Sequence, residues 1–141
     1  MPKIDLNNIE LYYEEYGDGE EAIILLHGFL SSSRMWKNKY VPALMKKYKV
    51  YTIDVRGHGN SNTVKTGCNL QQMDDDIYRF SILKKIDSFI LVRMSMLCAI
   101  AIQFSINFPD KIKSLILIYP GPGTLFSKCF FIMSPILSLF S

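Results

Sequence analysis

The sequence has few of the features that mark several classes of protein. Its three cysteines, Cys68, Cys98 and Cys129, are far apart and match no metal-binding spacing. Such cysteines, without a secretory signal, are typical of reduced thiols, so we expect a cytoplasmic protein. Charged residues make up only 21% of the 141 residues, and the net charge of +3 comes from scattered lysines. This argues against nucleic-acid binding, and the residues indicate neither a metal nor another cofactor.

Long apolar runs of the kind that cross membranes are also scarce. Residues 88–106 would be long enough, but Arg93 and Gln103 interrupt them, and a buried strand followed by a buried helix explains the run better. The apolar run 129–140 is too short to span a bilayer and is broken by Pro135. We therefore do not expect a membrane protein.

The composition is that of one globular domain, because 49% of the residues are apolar. Apolar segments that suit strands alternate with segments of helical spacing, which predicts an α/β fold with a mostly parallel open sheet between two helical layers. The predicted strands are residues 22–26, 49–53, 88–92 and 114–119, after two short strands within 4–16. The predicted helices are residues 34–47, weakened or split by Pro42, 70–85 and 96–107. We expect five or six strands, with 22–26 and 88–92 central because both are almost wholly apolar.

Three motifs follow predicted strands. They are LLHGF at residues 25–29, DVRGHGNS at 54–61 and RMSMLC at 93–98. In an open parallel sheet, the carboxyl ends of the strands line the ligand-binding crevice. The three motifs are therefore predicted to meet at one edge of the sheet.

These motifs, in this order, resemble the N-terminal half of α/β-hydrolases of the single-domain esterase, lipase and haloperoxidase-like kind. The resemblance covers roughly residues 4–125. It implies that Ser95 is the nucleophile and that the N–H groups of Phe29 and Met96 form the oxyanion hole. A small ester-like molecule would be the substrate, and the 54–61 loop would be mainly structural. The resemblance also divides the chain into a partial hydrolase core, residues 1–120, and the start of a cap-like apolar helical segment, residues 121–141.

The turn around Ser95 departs from the family pattern, Gly-x-Ser-x-Gly, because Arg93 and Leu97 replace the flanking glycines. A branched side chain at a close helix–strand contact overpacks it, which typically costs about 1–3 kcal/mol. A cation beside a buried strand is costly unless it is paired. We therefore expect a distorted nucleophile turn.

The partners of a catalytic serine are also missing from the expected places. In the family, the acid and the histidine follow the sixth strand, whereas here the last acidic residue is Asp110 and the last histidine is His58. The sequence thus favours a hydrolase-family chain that is inactive as it stands. The alternatives are an active hydrolase, a non-catalytic degenerate fragment, and an interaction or membrane-associated module that uses the apolar C-terminus.

Several other residues are interpreted as structural. We assign His27 and His58 to turns, and Cys98 to a buried, unreactive thiol. Asp74, Asp75 and Asp76 are expected in a solvated first helical turn rather than in a metal site. The apolar strand at 114–119 would form an open sheet edge, so we also expect self-association through that edge and the apolar C-terminus.

Overall fold

The computed structural model describes residues 2–63, 70–95 and 98–118, and the backbone of 131–133. Within these residues, seven strands form one sheet in the order β1-β2-β4-β3-β5-β6-β7. In chain order the strands are Lys3–Asp5 (β1), Glu10–Tyr16 (β2), Ala22–Leu26 (β3), Lys49–Ile53 (β4), Phe89–Met94 (β5), Ile112–Ile118 (β6) and Phe131–Met133 (β7).

The centre of the sheet is parallel, and its margins are antiparallel. Strand β3 pairs in parallel with β4 and β5, and β5 pairs in parallel with β6. Every residue of β3 is buried, as its unbroken apolar sequence predicts for a strand covered on both faces. The predicted α/β class and the central positions of β3 and β5 are confirmed.

Helices cover both faces of the sheet. On one face lie two short helices, Arg34–Lys37 (α1) and Val41–Leu44 (α2), whose Trp36 and Val41 pack against it. On the other face lie Leu70–Leu83 (α3) and Cys98–Asn107 (α4), which contribute Phe80 and Phe104 to the larger core. A short 3-10 helix, Pro109–Lys111, leads into β6. The predicted helix 34–47 is split because Pro42 lies in the first turn of α2, where a missing N–H costs no intrahelical bond.

The C-terminal part of the chain corrects two expectations. Strand β7 pairs antiparallel with β6, so that Leu115 lies opposite Met133 and Leu117 opposite Phe131. Residues 115–117 of β6 therefore do not form the open sheet edge that we expected. Strand β7 also raises the strand count to seven, above the predicted five or six. In segment 121–141, residues 131–133 form this strand, and the expected start of a cap-like helical segment stays a prediction. Pairing satisfies the N–H and C=O groups that β6 would otherwise leave open. The other residues of that segment, and the proposed boundary at residue 120, lie outside the described part.

The apolar stretch 88–106 resolves into β5 and α4. Across the described residues, no helix combines the length and the apolar character needed to cross a bilayer.

Candidate active site

Ser95 lies in a tight turn directly after β5. Its backbone φ is +78°, a left-handed conformation that non-glycine residues rarely adopt. Two backbone hydrogen bonds hold this turn: the Ser95 N–H donates to the Ile118 carbonyl at 2.9 Å, and the Cys98 N–H donates to the Ser95 carbonyl at 3.0 Å. Backbone strain of this kind concentrates at functional sites, where the surrounding structure maintains it. The turn continues through residues 96 and 97, which lie outside the described residues, so the expected distortion of the turn stays a prediction.

The side chain of Ser95 lies against the turn that follows β3. A β-carbon placed on Gly28 would come within 2.8 Å of the Ser95 Cβ and 3.4 Å of its Oγ. Only glycine leaves room for this approach. The Val55 N–H of the 54–61 loop donates to His27 at 3.1 Å, so the structure brings all three motifs together, as their positions at the ends of neighbouring parallel strands predict.

The two residues assigned to the oxyanion hole differ in what the structure describes. Phe29 directly follows Gly28, so its backbone lies beside the serine turn. Its side chain is 61% exposed, so the ring points to the surface. Leu30, the next residue, is also exposed and has a φ of +56°. Met96 lies outside the described residues, as does Leu97, so the expected overpacking at Leu97 remains a prediction.

His27 is a structural residue in this arrangement. It is fully buried; its Nε2 accepts a hydrogen bond from the Val55 N–H at 3.1 Å, which leaves Nδ1 to donate to the Gly28 carbonyl at 2.7 Å. Burial lowers the pKa of His27 to about 4, so the ring is neutral at pH 7. Because both ring nitrogens are occupied, His27 cannot take a proton from Ser95.

His58 lies at the rim of the site. Its ring centroid is 5.3 Å from that of His27 and 5.7 Å from that of Phe29. Its Nδ1 lies 3.1 Å from the Arg56 carbonyl, which can only accept, so Nδ1 is the donor of this hydrogen bond. This hydrogen bond within the loop agrees with the turn role assigned from the sequence.

The 54–61 loop is held by the buried carboxylate of Asp54. This group accepts hydrogen bonds from the Ser33 N–H at 2.6 Å and the Asn60 N–H at 2.8 Å. A β-carbon on Gly59, whose φ is +54°, would collide with the same carboxylate. Ser61 completes the loop by donating from Oγ to the Asp54 carbonyl and accepting from the Tyr12 N–H at 2.8 Å. These contacts tie α1 and β2 to the mouth of the site.

The aspartate triplet is not the solvated first turn that we expected. Helix α3 begins at Leu70, so the aspartates follow its first turn, and Asp74 and Asp76 are buried. Asp76 receives two hydrogen bonds of 2.7 Å from the guanidinium of Arg56, in the loop. The helical spacing of Asp74 with Ile77 could have indicated that both face the core. No cluster of acidic, histidine or cysteine side chains suited to a metal ion occurs among the described residues.

Arg93 is fully buried beneath the serine turn, as the apolar surroundings of its strand predict. Its guanidinium nitrogens form no hydrogen bond within the described part of the chain. Cys98 is buried nearby: its thiol lies 3.6 Å from the Arg93 carbonyl, and burial raises the pKa of that thiol. Cys98 is thus buried, as expected, and the raised pKa of its thiol favours low reactivity.

A central parallel sheet, a strained serine turn after β5 and a glycine turn against it define the architecture of the α/β-hydrolases. The chain belongs to this family: the family profile described as alpha/beta hydrolase fold matches residues 21–135.

Individual relatives agree with this assignment. The chain is 30% identical over 116 residues to the dihydrolipoyllysine-residue acetyltransferase component of the acetoin cleaving system of Cupriavidus necator. The aligned region covers 82% of this chain and 31% of that protein. It superimposes on a solved marine microorganism esterase with a TM-score of 0.73 and 30% identity, covering 77% of this chain and 41% of that one. A second structure, Est816, an N-acyl homoserine lactone degrading enzyme, gives a TM-score of 0.78 at 27% identity, with 84% and 45% covered. The chain thus spans less than half the length of these proteins.

Proposed function

We propose that this chain carries the nucleophile half of a serine ester hydrolase, and that the 141 residues alone do not turn over an ester. Ser95 is the nucleophile position, and the amides of Phe29 and Met96 are the oxyanion-hole donors. The observation that carries the proposal is the left-handed backbone of Ser95, held against Gly28. This strained turn presents a serine hydroxyl at the carboxyl edge of the sheet, where an ester carbonyl could meet it.

The substrate class follows from this chemistry and from the relatives. A serine hydroxyl beside two backbone N–H donors suits the attack on an acyl carbon and the stabilisation of the resulting oxyanion. The esterase and the acyl homoserine lactone degrading enzyme among the relatives are named for bonds of this kind. A small ester or lactone is therefore the proposed ligand.

The proposed lack of turnover rests on the missing base. A serine hydroxyl is a weak nucleophile without a base to accept its proton, and general-base catalysis contributes about 10²–10⁴-fold. His27 has both ring nitrogens occupied, the ring of His58 hydrogen-bonds to the Arg56 carbonyl of its own loop, and no other histidine is present in the 141 residues. In triad enzymes that lack a triad member, the oxyanion hole and substrate binding alone still give a rate about 10³–10⁴-fold above that of the reaction in water.

The test is the hydrolysis of p-nitrophenyl acetate by the purified chain and by Ser95→Ala. We expect the two rates to be indistinguishable, because Ser95 has no base. His58→Gln serves as the control, since His58 is the other histidine of the chain and lies at the rim of the site. A wild-type rate that collapses in both Ser95→Ala and His58→Gln would contradict the proposal and make His58 the base.

A further inference from the structure

Two charged side chains beneath the nucleophile turn are buried and form no salt bridge among the described residues. Arg93 on β5 and Asp74 on α3 are both 0% exposed. All three guanidinium nitrogens of Arg93 lack a hydrogen bond within the described residues, and the carboxylate of Asp74 has only a weak partner there, the Asn107 side chain, which forms no hydrogen bond of normal geometry. Buried charged groups are nearly always paired or hydrogen-bonded, so two such groups in one place require an explanation.

The two groups belong to the same interface. On β5, Phe89 and Leu91 pack into the core under α3 and α4, and the alternation of a strand places Arg93 on that same face. Each charge alters the titration of the other: Arg93 lowers the pKa of Asp74, and Asp74 raises that of Arg93. They nevertheless form neither a salt bridge nor a hydrogen bond.

Burial outweighs this attraction for Asp74. Desolvation, with a smaller contribution from the neighbouring Asp75, raises its pKa to about 6, although Arg93 and the Asn107 amide on α4 act in the opposite direction. Arg93 cannot relieve the cost by losing its own proton, because burial lowers its pKa only to about 10. The other titratable groups near Arg93 are the Cys98 thiol, whose pKa is raised, and His27, which is neutral above about pH 4.

We propose that Asp74 and Arg93 form a proton-sensitive joint beneath the nucleophile turn, in which ionisation of Asp74 loosens α3 from β5 and with it the turn at Ser95. When α3 separates from β5, both charged side chains become hydrated. The free energy gained from this hydration is greatest when Asp74 is ionised. The turn is linked to the joint because the Cys98 thiol contacts the Arg93 carbonyl and the Cys98 N–H holds the Ser95 carbonyl. Asp74 is thus a positioning residue. The effect of its ionisation on catalysis rests on the proposed role of Ser95 as the nucleophile.

The direction of the pH effect follows from linkage. A carboxyl whose pKa is higher in the folded state than in the unfolded state stabilises the folded state at low pH. For Asp74 this stabilisation is complete below the unfolded pKa of about 4 and is lost as the pH rises through the folded pKa of about 6. If opening restores the ordinary pKa of Asp74, the opening equilibrium grows about tenfold between pH 5 and pH 7.

Amide hydrogen exchange of the full chain, followed by NMR, tests this. After correction for the intrinsic pH dependence of exchange, the amides of α3 and of Ser95 should lose about tenfold in protection between pH 5 and pH 7. Asp74→Asn should abolish that change, whereas Asp75→Asn, the matched control on the same helix, should retain it at a somewhat lower pH, because Asp75 contributes to the raised pKa of Asp74. Arg93→Met should move the change to higher pH, because Asp74 then loses the nearby cation.

Protection independent of pH in the wild type would overturn the proposal, even if a variant failed to fold. It would equally be overturned if Asp75→Asn removed the pH dependence, or if α3 responded while the Ser95 amide did not. These measurements need no ester and no nucleophile, so Ser95→Ala should leave the α3 profile unchanged. Failure of the proposed hydrolase role and failure of the joint are therefore distinguished.

Discussion

Replacing Arg93 by methionine is expected to raise the melting temperature of the chain by roughly 10 °C at pH 7. The guanidinium is fully buried and makes no hydrogen bond among the described residues, so its desolvation is not compensated. Methionine fills a similar volume without a charge, and leaving a buried polar group without a hydrogen bond costs about 1–3 kcal/mol, and more when the group is charged. For a domain of this size, about 2–3 kcal/mol corresponds to that shift. Differential scanning calorimetry would measure it.

The control for this prediction is Arg34→Met on α1, an exposed arginine that should change the melting temperature little. A fall in melting temperature for Arg93→Met would mean that Arg93 stabilises the fold, and would contradict our account of its burial.

The second buried arginine should behave in the opposite way. Arg56 is bound to Asp76 through two hydrogen bonds of 2.7 Å, and both side chains are almost completely buried. Arg56→Met leaves Asp76 without its counter-charge, and breaking a buried pair from one side typically costs about 3–5 kcal/mol. Urea denaturation should therefore show a loss of that size.

The double variant Arg56→Met/Asp76→Leu provides the matched control for the second prediction. It removes both charges, so it should recover much of the loss caused by Arg56→Met alone. Equal losses in the single and double variants would show that the pair does not account for the effect.

Most of the fold could be predicted because local patterns and the sheet architecture agree. The unbroken apolar run of β3 predicted a central strand, and Pro42 predicted the break between α1 and α2. Strand β7 could not be predicted in the same way. Its three residues form a strand through pairing with the edge of β6, a contact that no local pattern encodes.

The candidate site was predictable where one short motif specifies one turn. The turn at His27 and Gly28 meets the turn at Ser95 because the two turns follow adjacent parallel strands, β3 and β5. The charges beneath the site were only partly predictable from their segment. Three consecutive aspartates suggested a solvated turn, whereas Asp76 meets an arginine twenty residues away and Asp74 faces the core. The spacing of Asp74 with Ile77 is a local signal of burial, whereas the burial of Asp76 depends on how α3 packs against Arg56 in the 54–61 loop.

The central claim, that Ser95 is presented as a nucleophile without a base, is tested most directly by Ser95→Cys. A thiol is partly ionised near neutral pH and attacks an activated ester without a general base. Treated with p-nitrophenyl acetate, this variant should gain one more acetyl group than Ser95→Ala by intact-mass spectrometry, and it should show no continued turnover. Ser95→Ala accounts for acetylation of the three native cysteines. Equal acetylation of the two variants, or sustained turnover by Ser95→Cys, would contradict the account.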